Sequence, residues 1–537
     1  MSSASPSPPG AYRRRESVRL VDDVLVSTAP LAASRLNEAA VDVVRALGAE
    51  YRPAEAIARE TAREPASVID LLEDLRRRGF LAWRPERDPS HTPPVSVVVT
   101  VRNDREPLRE CLDALGRLDY PSSEVVVIDD GSTDGTAAMA SNHPLAEAGR
   151  LRTVAVGSAS EPLGIGASRN RGVEAAAHDV IAFTDADCRP DERWLADLVP
   201  FLARHDVVGG RVRPAGDSTA SAYEEVNASL DMGPEPARVH RGGDVPYLPT
   251  ANLVGRRAAF EAVRFPPRNV AEDVAFCWRA LEAGYDVVYT PTGVVGHRYR
   301  TGLGAVAARR ATYGASEALL AAEFGRDRAG RVAVPTSAAI VAALGLVWLA
   351  TSGALATVAA ALGAGVVGLA AVGRVRRLWQ LHARLAPAVS RADIARSQAR
   401  SWLSAAYALA REVTRYYAAP LTLLGGVIGL AGWPSVAGVV LVAVVAAVAL
   451  PLVIEYAVHD PATTVAGYAA YYLADHGGYQ LGVYRGAVRH RTLAHLAPGR
   501  RFRMVGPGTG ALATLGHGDR TPRRGGADAP DGDDDGD

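Results

Sequence analysis

The sequence predicts three structural parts: a small module of helices and a β-hairpin, an α/β domain, and a C-terminal region of membrane-spanning helices. Three observations support this division. Residues 12–84 combine a hairpin pattern with three helical patterns, residues 95–330 begin with apolar strands that alternate with helical stretches, and residues 332–373 and 416–454 contain no charge. A length of 537 residues agrees with about three units at roughly 100–200 residues per domain.

The first unit has the pattern of a winged-helix-like module. A hairpin is predicted from Ser17 to Ser27, and apolar residues then recur at helical spacing. The third helix is expected to end at Gly79, which suits a helix C-cap. We expect residues 1–11 to form a disordered leader and the proline-rich residues 85–94 to form a linker. A purely structural role and a role in partner recognition both remain open for this module.

The second unit has the pattern of a parallel α/β sheet, whose ligands bind at the carboxyl ends of its strands. The predicted strands are Val95–Val101, Glu124–Ile128, Thr153–Val156, Val180–Thr184, Val207–Val212 and Asp286–Tyr289.

Composition excludes several classes of protein. The cysteines, Cys111, Cys188 and Cys277, lie far apart without CxxC spacing, so neither a disulfide framework nor a structural zinc site is predicted. The polar N-terminus lacks the apolar run of a secretory signal. A DNA-binding helix would need a broad basic face, and the run Arg76 to Arg78 is too small to supply one.

Two aspartates follow an apolar strand near the middle of the α/β domain. In the segment DVIAFTDAD, Asp185 and Asp187 are separated by one residue. Side chains at positions i and i+2 of a strand face the same way, so both carboxylates can address one hard divalent cation. Such a cation commonly retains waters and substrate phosphates among its ligands. A solvated acidic turn is the alternative.

Two further motifs contain candidate donor-binding residues. In VVVIDDGSTDGT, apolar residues stop at Asp129 and Asp130, where a carboxylate can accept hydrogen bonds from a base or ribose. A plain Asp-Gly turn is the alternative. In GIGASRNRG, Arg169 and Asn170 lie near the start of a helix and can reach ribose or diphosphate, or can belong simply to the helix start.

The two charge-free stretches each have the length of a transmembrane hairpin, because one span needs about 20 apolar residues. Residues 374–415 between them contain nine arginines and are predicted to form a cytoplasmic loop by the positive-inside rule. The tyrosine-rich residues 455–505 are expected to form an interfacial or cytoplasmic segment, and residues 506–537 a disordered acidic tail. Helices buried in a large soluble core are the alternative.

The motifs VSVVVTVRND, VVVIDDGSTDGT, GIGASRNRG, FTDAD and the later Glu272-Asp273, in this order, resemble family 2 inverting glycosyltransferases of the GT-A fold, which is Rossmann-like, over roughly residues 94–325. The resemblance implies a nucleotide-sugar donor and a divalent metal, Mg²⁺ or Mn²⁺. It assigns nucleoside contacts to Asn103 and Asp130, the donor sugar or ribose to Asp185, and the metal to Asp187, with Asp185 as a second candidate ligand. Asp129, Arg169 and Asn170 are further candidate donor contacts. His297, after the last predicted strand, can complete the metal shell or touch the diphosphate, and a structural histidine is the alternative.

The same resemblance assigns catalysis to the acidic pair. Asp273 is expected to be the general base, with Glu272 beside it, and a helix-capping role is the alternative because the pair begins a helix. Near the acceptor or the diphosphate we expect Asn252, Arg309 and Arg310. The arginines lie where processive members carry an arginine-tryptophan motif, and tryptophan is missing here.

The N-terminal unit resembles PqqD-like peptide-recognition domains, and its fusion to a family 2 transferase resembles the mycofactocin-system glycosyltransferases. This second resemblance implies transfer of hexose, with UDP-glucose as the expected donor and repeated β-linked glucose addition, to a peptide-derived redox cofactor precursor. It also implies a peptide or maturation-enzyme partner for residues 12–84. The alternative is a cell-envelope polysaccharide synthase or a lipid-carrier glycosyltransferase, and the sequence leaves the donor sugar open.

Overall fold

The computed structural model describes residues 10–28, 31–86, 92–325, 332–335, 344–345, 347–348, 351, 353–385, 390–496 and 502–505. The predicted acidic tail lies outside these residues, and so does the predicted leader up to residue 9. Gly10 and Ala11 were expected to belong to that leader, but they begin a strand because they pair with Pro85 and Arg84.

The N-terminal module contains three helices and two three-stranded sheets. The predicted hairpin is present, with Val18 opposite Ser27, and the third helix stops before Gly79, whose φ of 84° is that of a C-cap. The elements are β1 (Gly10–Arg14), β2 (Val18–Val21), β3 (Val24–Thr28), β4 (Leu31–Arg35), α1 (Glu38–Ala46), β5 (Arg52–Pro53), α2 (Ala54–Glu60), α3 (Pro65–Arg77) and β6 (Leu81–Pro85). The sheets have the orders β5-β1-β6 and β2-β3-β4.

The module packs directly against the α/β domain. The Trp83 ring lies edge-on to Phe201, with ring centroids 5.7 Å apart, and Arg204 stacks over the same indole. Arg204 also donates to Glu73 at 2.9 Å, and Glu73 accepts a second hydrogen bond from the Tyr12 hydroxyl at 2.6 Å. These contacts, apolar and charged together, fix the module to the domain.

The α/β domain is built on an eight-stranded sheet, and the predicted α/β class is confirmed. Its elements are β7 (Val95–Val101), α4 (Arg105–Gly116), β8 (Ser123–Asp130), α5 (Thr136–Ser141), α6 (Pro144–Glu147), β9 (Leu151–Val156), α7 (Ile165–Ala175), β10 (Val180–Asp185), β11 (Cys188–Pro190), α8 (Trp194–Leu198), β12 (Val207–Gly209), β13 (Val212–Pro214), α9 (Thr219–Asn227), β14 (Ala237–Arg238), β15 (Leu253–Arg256), α10 (Arg257–Val263), α11 (Glu272–Glu282), β16 (Val287–Tyr289), β17 (Val295–His297) and α12 (Leu303–Phe324). The strand order is β14-β16-β12-β15-β10-β7-β8-β9.

The sheet departs from the wholly parallel pattern that the sequence predicts. β15 lies antiparallel to both β10 and β12, and β14 lies antiparallel to β16. The predicted strand Val207–Val212 divides into β12 and β13, because Gly210 passes close to the Gly293 carbonyl and Asn252. The short strand β13 then joins a second sheet, β11-β17-β13, beside the carboxyl edge of the main sheet.

The C-terminal region is mainly helical within the described residues. Its elements are β18 (Val332–Pro335), α13 (Gly353–Leu385), α14 (Arg391–Glu412), a π-helix (Val413–Tyr417), α15 (Ala418–Leu430), α16 (Pro434–His459), α17 (Val465–Arg489) and β19 (Phe502–Val505). Two stretches are long and apolar enough to cross a membrane, namely Gly353–Gly373 and Pro434–His459.

The predicted boundaries of the membrane region need correction. Residues 332–335 form a strand paired with residues 502–505 and do not begin a helical hairpin. α13 continues past Arg374, and most of the predicted basic loop is helical. α15 continues without a break from α14 through the π-helix, so the predicted start of the second hairpin at residue 416 falls inside one long helical segment.

The tyrosine-rich helix α17 lies against the α/β domain. It was expected at a membrane interface, yet Tyr468 and Tyr472 are fully buried and Tyr479 nearly so. Tyr468 packs on Tyr223 of α9, with ring centroids 5.2 Å apart. The tyrosines therefore belong to an internal interface between α17 and the domain.

Candidate active site

The carboxyl ends of β7, β8 and β10 meet at one edge of the sheet and bring the predicted acidic residues together. In the parallel register, Asp185 pairs with Thr100, and Asp129 pairs with Val101. The valine-rich strands are buried on both faces, and the carboxylates of β8 and β10 follow at their carboxyl ends, where the apolar runs stop. This edge is the candidate active site.

Asp130 is buried and holds the loop that leads into α7. Its Oδ1 accepts from the Leu163 N–H at 2.6 Å, and its Oδ2 accepts from the Gly164 N–H at 2.8 Å. A Cβ at Gly157 would collide with Oδ1, so glycine is required there. The neighbouring Asp129 is also buried, and its Oδ1 has no hydrogen-bond partner among the described residues. Asp129 is therefore the freer acceptor for a ligand or water.

Asn103 organises the loop after β8. Its φ of 53° is left-handed, and its Oδ1 accepts from the Thr133 N–H at 2.7 Å while its own N–H donates to Ser132 at 2.9 Å. Asp104, which the sequence did not mark, lies next to it. Burial raises the pKa of Asp104, and Asp187 raises it further, which places Asp104 near the candidate metal-binding residues.

Arg169 of α7 joins the donor side of the site to the later acidic pair. Its side chain is 2% exposed and donates to Asp185 at 2.8 Å and to Glu272. Burying a guanidinium requires such paired carboxylates. Asn170 instead exchanges two hydrogen bonds with the backbone of Phe265, at 2.8 and 2.9 Å. Both ends of its amide are therefore engaged in connecting α7 to the segment before α11.

Unlike Glu272, Asp273 has no arginine partner among the described residues. Its described hydrogen bond is from the N–H of Val274 at 2.8 Å, within its own helix. Burial raises the pKa of Asp273, Glu272 and Asp185 raise it further, and Arg169 acts in the opposite direction. A carboxylate with a raised pKa and no cation of its own is suited to accept a proton. Glu272, paired with Arg169, is not.

Two tyrosines that the sequence analysis did not single out, Tyr247 and Tyr313, lie near Asp273. Burial raises the pKa values of Tyr247 and Tyr313, and the charge of Asp273 contributes to both. Arg309 donates to the Tyr313 hydroxyl at 2.9 Å, an i to i+4 contact on α12. Burial by itself would lower the pKa of Arg309. The interactions with Tyr313, Asp185 and Asp187 outweigh this effect, so the pKa is raised. In the sequence, the feature that could have pointed to Tyr313 is its position four residues after Arg309, which places both side chains on the same face of a helix.

Asp187, Cys188 and His297 form a group whose potential ligand atoms all lie within 4.8 Å of one another. His297 Nε2 is 3.5 Å from Asp187 Oδ1, and its Nδ1 is buried without a partner among the described residues. Burial raises the pKa of the Cys188 thiol, followed by the charges of Asp187 and Asp185, so the sulfur stays protonated and is a poor ligand for a hard cation. The oxygen and imidazole donors fit Mg²⁺ or Mn²⁺.

Two predicted site residues lie elsewhere. Asn252 is 0% exposed, donates to the carbonyls of Arg211 and Gly293, and accepts from Trp194, so it cannot line an open pocket. Arg310 is buried on the other side of α12, against Glu224 and Asp475. Consecutive helix residues point about 100° apart, so Arg309 and Arg310 cannot both face the site.

The family comparison agrees with this geometry. Residues 96–264 match the family described as glycosyl transferase family 2. Residues 96–264 therefore form a family 2 glycosyltransferase domain, which confirms the predicted family for this part of the chain.

Within this region the chain is similar to particular proteins. It is 34% identical over 244 residues to the pre-mycofactocin glycosyltransferase of Mycobacterium tuberculosis, covering 44% of this chain and 49% of that protein. It is 31% identical over 206 residues to the glycosyltransferase AglE of Haloferax volcanii, covering 37% of this chain and 65% of that protein. The chain thus spans less than two thirds of the length of either relative.

Among solved structures, the chain is similar to the mannosyltransferase PcManGT of Pyrobaculum calidifontis in complex with GDP-Man and Mn²⁺. The two are 23% identical, with a TM-score of 0.35, covering 59% of this chain and 88% of that one.

Proposed function

We propose that this protein is a membrane-associated inverting glycosyltransferase that transfers a hexose from a nucleotide-sugar donor to a peptide-derived redox cofactor precursor. The observation that carries the enzymatic part is the division of labour between Glu272 and Asp273. Glu272 is neutralised by Arg169, whereas Asp273 faces the same site without a cation of its own. The similarity to a pre-mycofactocin glycosyltransferase supports the acceptor class.

In the proposed reaction, Asp273 removes the proton from an acceptor hydroxyl. The acceptor oxygen forms a bond to the anomeric carbon while the bond to the nucleoside diphosphate breaks on the opposite face, so the configuration inverts. Arg309 is placed to stabilise the negative charge that develops on the leaving diphosphate. Asp129 supplies a free acceptor for the nucleoside, while Asn103 holds the neighbouring loop after β8 through Thr133.

Asp187 and His297, with Asp185 beside them, are the residues proposed to hold a divalent cation. When bound, such a cation supplies positive charge against the diphosphate. Its presence would also offset the repulsion between Asp104 and Asp187.

Membrane association is supported by the two long apolar helices. The span Gly353–Gly373 is almost entirely exposed and carries apolar side chains such as Leu355, Leu362 and Leu369 on its surface. In water, such a surface would be a strong aggregation site. We propose a multi-pass arrangement with the catalytic domain on the cytoplasmic face, because residues 374–415 are rich in arginine and Arg411 of this segment donates to Asn227 of the α/β domain, which keeps the two on the same side.

A direct test incubates membranes containing the full chain with UDP-glucose or GDP-mannose, Mn²⁺ and a small phenolic peptide-derived acceptor. We expect successive hexose mass increments on the acceptor from the wild type and none from Asp273→Asn. Asp179→Asn is the matched control, because Asp179 is exposed at the opposite end of β10. An unmodified acceptor with every donor would contradict the proposal.

The second candidate is transfer to a cell-envelope polysaccharide or lipid carrier. One observation favours it: the chain is 28% identical over 208 residues to the amylovoran biosynthesis glycosyltransferase AmsB of Erwinia amylovora. Incorporation of label into lipid or polymer, with the phenolic acceptor unchanged, would select this candidate.

A further inference from the structure

Helix α12 carries two adjacent arginines with opposite environments. Arg309 is exposed, donates to the Tyr313 hydroxyl and interacts electrostatically with Asp185 and Asp187, whereas Arg310 is 3% exposed. Both oxygens of Glu224 accept from Arg310 Nη2, at 2.9 and 2.8 Å, and Arg310 Nε lies 3.1 Å from Asp475. Arg310 therefore joins α9, α12 and α17 through buried ion pairs.

A second contact brings α17 unusually close to α12. Gly478, Gly482 and Gly486 lie one helical turn apart on α17, and a Cβ at each would collide with the backbone of α12. The facing backbone belongs to Ala307, Ala311 and Ala315. Because glycine and alanine let the helix axes approach, Arg310 and Asp475 meet without a long intervening side chain.

We propose that Arg310 and its counter-ion Asp475 are positioning residues. They fix the rotation of α12 about its axis, so that Arg309 and Tyr313 face Asp273 and the carboxylates of Asp185 and Asp187. This inference rests on the proposed function. It makes α17, which lies about 150 residues beyond the α/β domain, a structural part of the catalytic unit.

The geometry explains why a small movement would matter. The side chains of Arg309 and Arg310 diverge by about 100° around the helix axis. A rotation of α12 that released Arg310 from Glu224 and Asp475 would carry Arg309 away from Asp185 and Asp187. The buried ion pairs oppose that rotation, because a buried guanidinium without carboxylate partners is strongly unfavourable.

The test is a double-mutant cycle on the full chain in detergent. Binding of UDP and of GDP with Mn²⁺ is measured by calorimetry for the wild type, Arg309→Met, Arg310→Met and the double variant. Asp475→Asn provides a variant of nearly unchanged volume, and Arg485→Met removes an exposed arginine from the same helix α17 as the control. Thermal unfolding confirms that each variant is folded.

We expect each single arginine variant to weaken diphosphate binding about tenfold or more. If Arg310 acts through Arg309, removing both should weaken binding little more than removing Arg309 alone. Asp475→Asn should weaken binding in the same direction, and Arg485→Met should leave it unchanged.

If the losses of diphosphate affinity caused by Arg309→Met and Arg310→Met multiply in the double variant, the two arginines act independently and the inference is overturned. Wild-type affinity in a folded Arg310→Met or Asp475→Asn variant would overturn it as well. Binding is measured without an acceptor, so failure of the proposed transfer reaction is seen separately. Wild-type protein that binds neither diphosphate would overturn the proposed function and, with it, this inference.

Discussion

Arg169 and Glu272 form a buried ion pair although they lie 103 positions apart in the chain. The same guanidinium holds Asp185 at 2.8 Å. Arg169 thus connects the strand end that carries Asp185 and Asp187 to the helix that carries the proposed base. The pair neutralises Glu272 and leaves the adjacent Asp273, the proposed base, without a described arginine partner.

Replacing Arg169 by methionine should damage both folding and activity. The buried Glu272 and the partly exposed Asp185 would lose their cation, and breaking a buried ion pair costs about 3–5 kcal/mol. We expect a lower melting temperature and at least a tenfold loss of turnover in whatever folds. Arg171→Met on the same helix is the control, because Arg171 is exposed and pairs only at the surface with Glu174.

Replacing Asp273 and Glu272 one at a time by their amides should distinguish their roles. Asp273→Asn should lower kcat by about 10²–10⁴-fold, the usual contribution of a general base, while donor affinity is retained. Glu272→Gln should mainly lower stability, because it leaves Arg169 with one carboxylate. Equal kcat in wild type and Asp273→Asn would refute the assignment of the base.

The pH dependence follows from the raised pKa of Asp273. A base must be ionised, so kcat/KM should rise as pH increases through this pKa, above the ordinary aspartate value of about 3.9. Stability has the opposite sign: the contribution of a carboxyl with a raised folded pKa is present at low pH and is lost as pH rises through that value. At neutral pH, Asp273→Asn should therefore melt higher than the wild type. A lower melting temperature would contradict the burial of an ionised carboxylate.

Metal dependence can be tested at the group formed by Asp187, Cys188 and His297. Chelation by EDTA should abolish transfer, and Asp187→Asn or His297→Ala should raise the Mn²⁺ concentration needed for half-maximal activity. Cys188→Ala should change that concentration little, because the thiol is protonated. Unchanged Mn²⁺ dependence in Asp187→Asn would place the cation elsewhere.

The close approach of α12 and α17 gives a prediction about stability with an internal control. Gly482→Ala would force a methyl group into the Ala311 backbone, and overpacking of this kind costs about 1–3 kcal/mol. Gly477→Ala on the same helix has nothing within 4 Å of its new Cβ and should stabilise the helix by roughly 0.5–1 kcal/mol. Thermal unfolding of the two variants should shift in opposite directions.

Some features were predictable because they depend on local sequence. The strands β8 and β10 are apolar runs that end at acidic residues, and α3 ends just before Gly79, whose left-handed backbone suits a helix C-cap. Short strands such as β15 and β17 were missed, because they have three or four residues and pair with partners distant in the chain.

The sequence by itself determined the family, the α/β class and the carboxylates that gather at one sheet edge, since strand ends and helix periodicity are properties of neighbouring residues. Only the tertiary structure decided which member of each pair serves the site. In the folded chain Glu272 pairs with Arg169, whereas Asp273 has no described arginine partner. Arg309 faces the site, whereas Arg310 pairs with Asp475. Asn252 is buried. The physical reason is that the charge and availability of a side chain depend on its partners, and these partners come from elements far away in the chain.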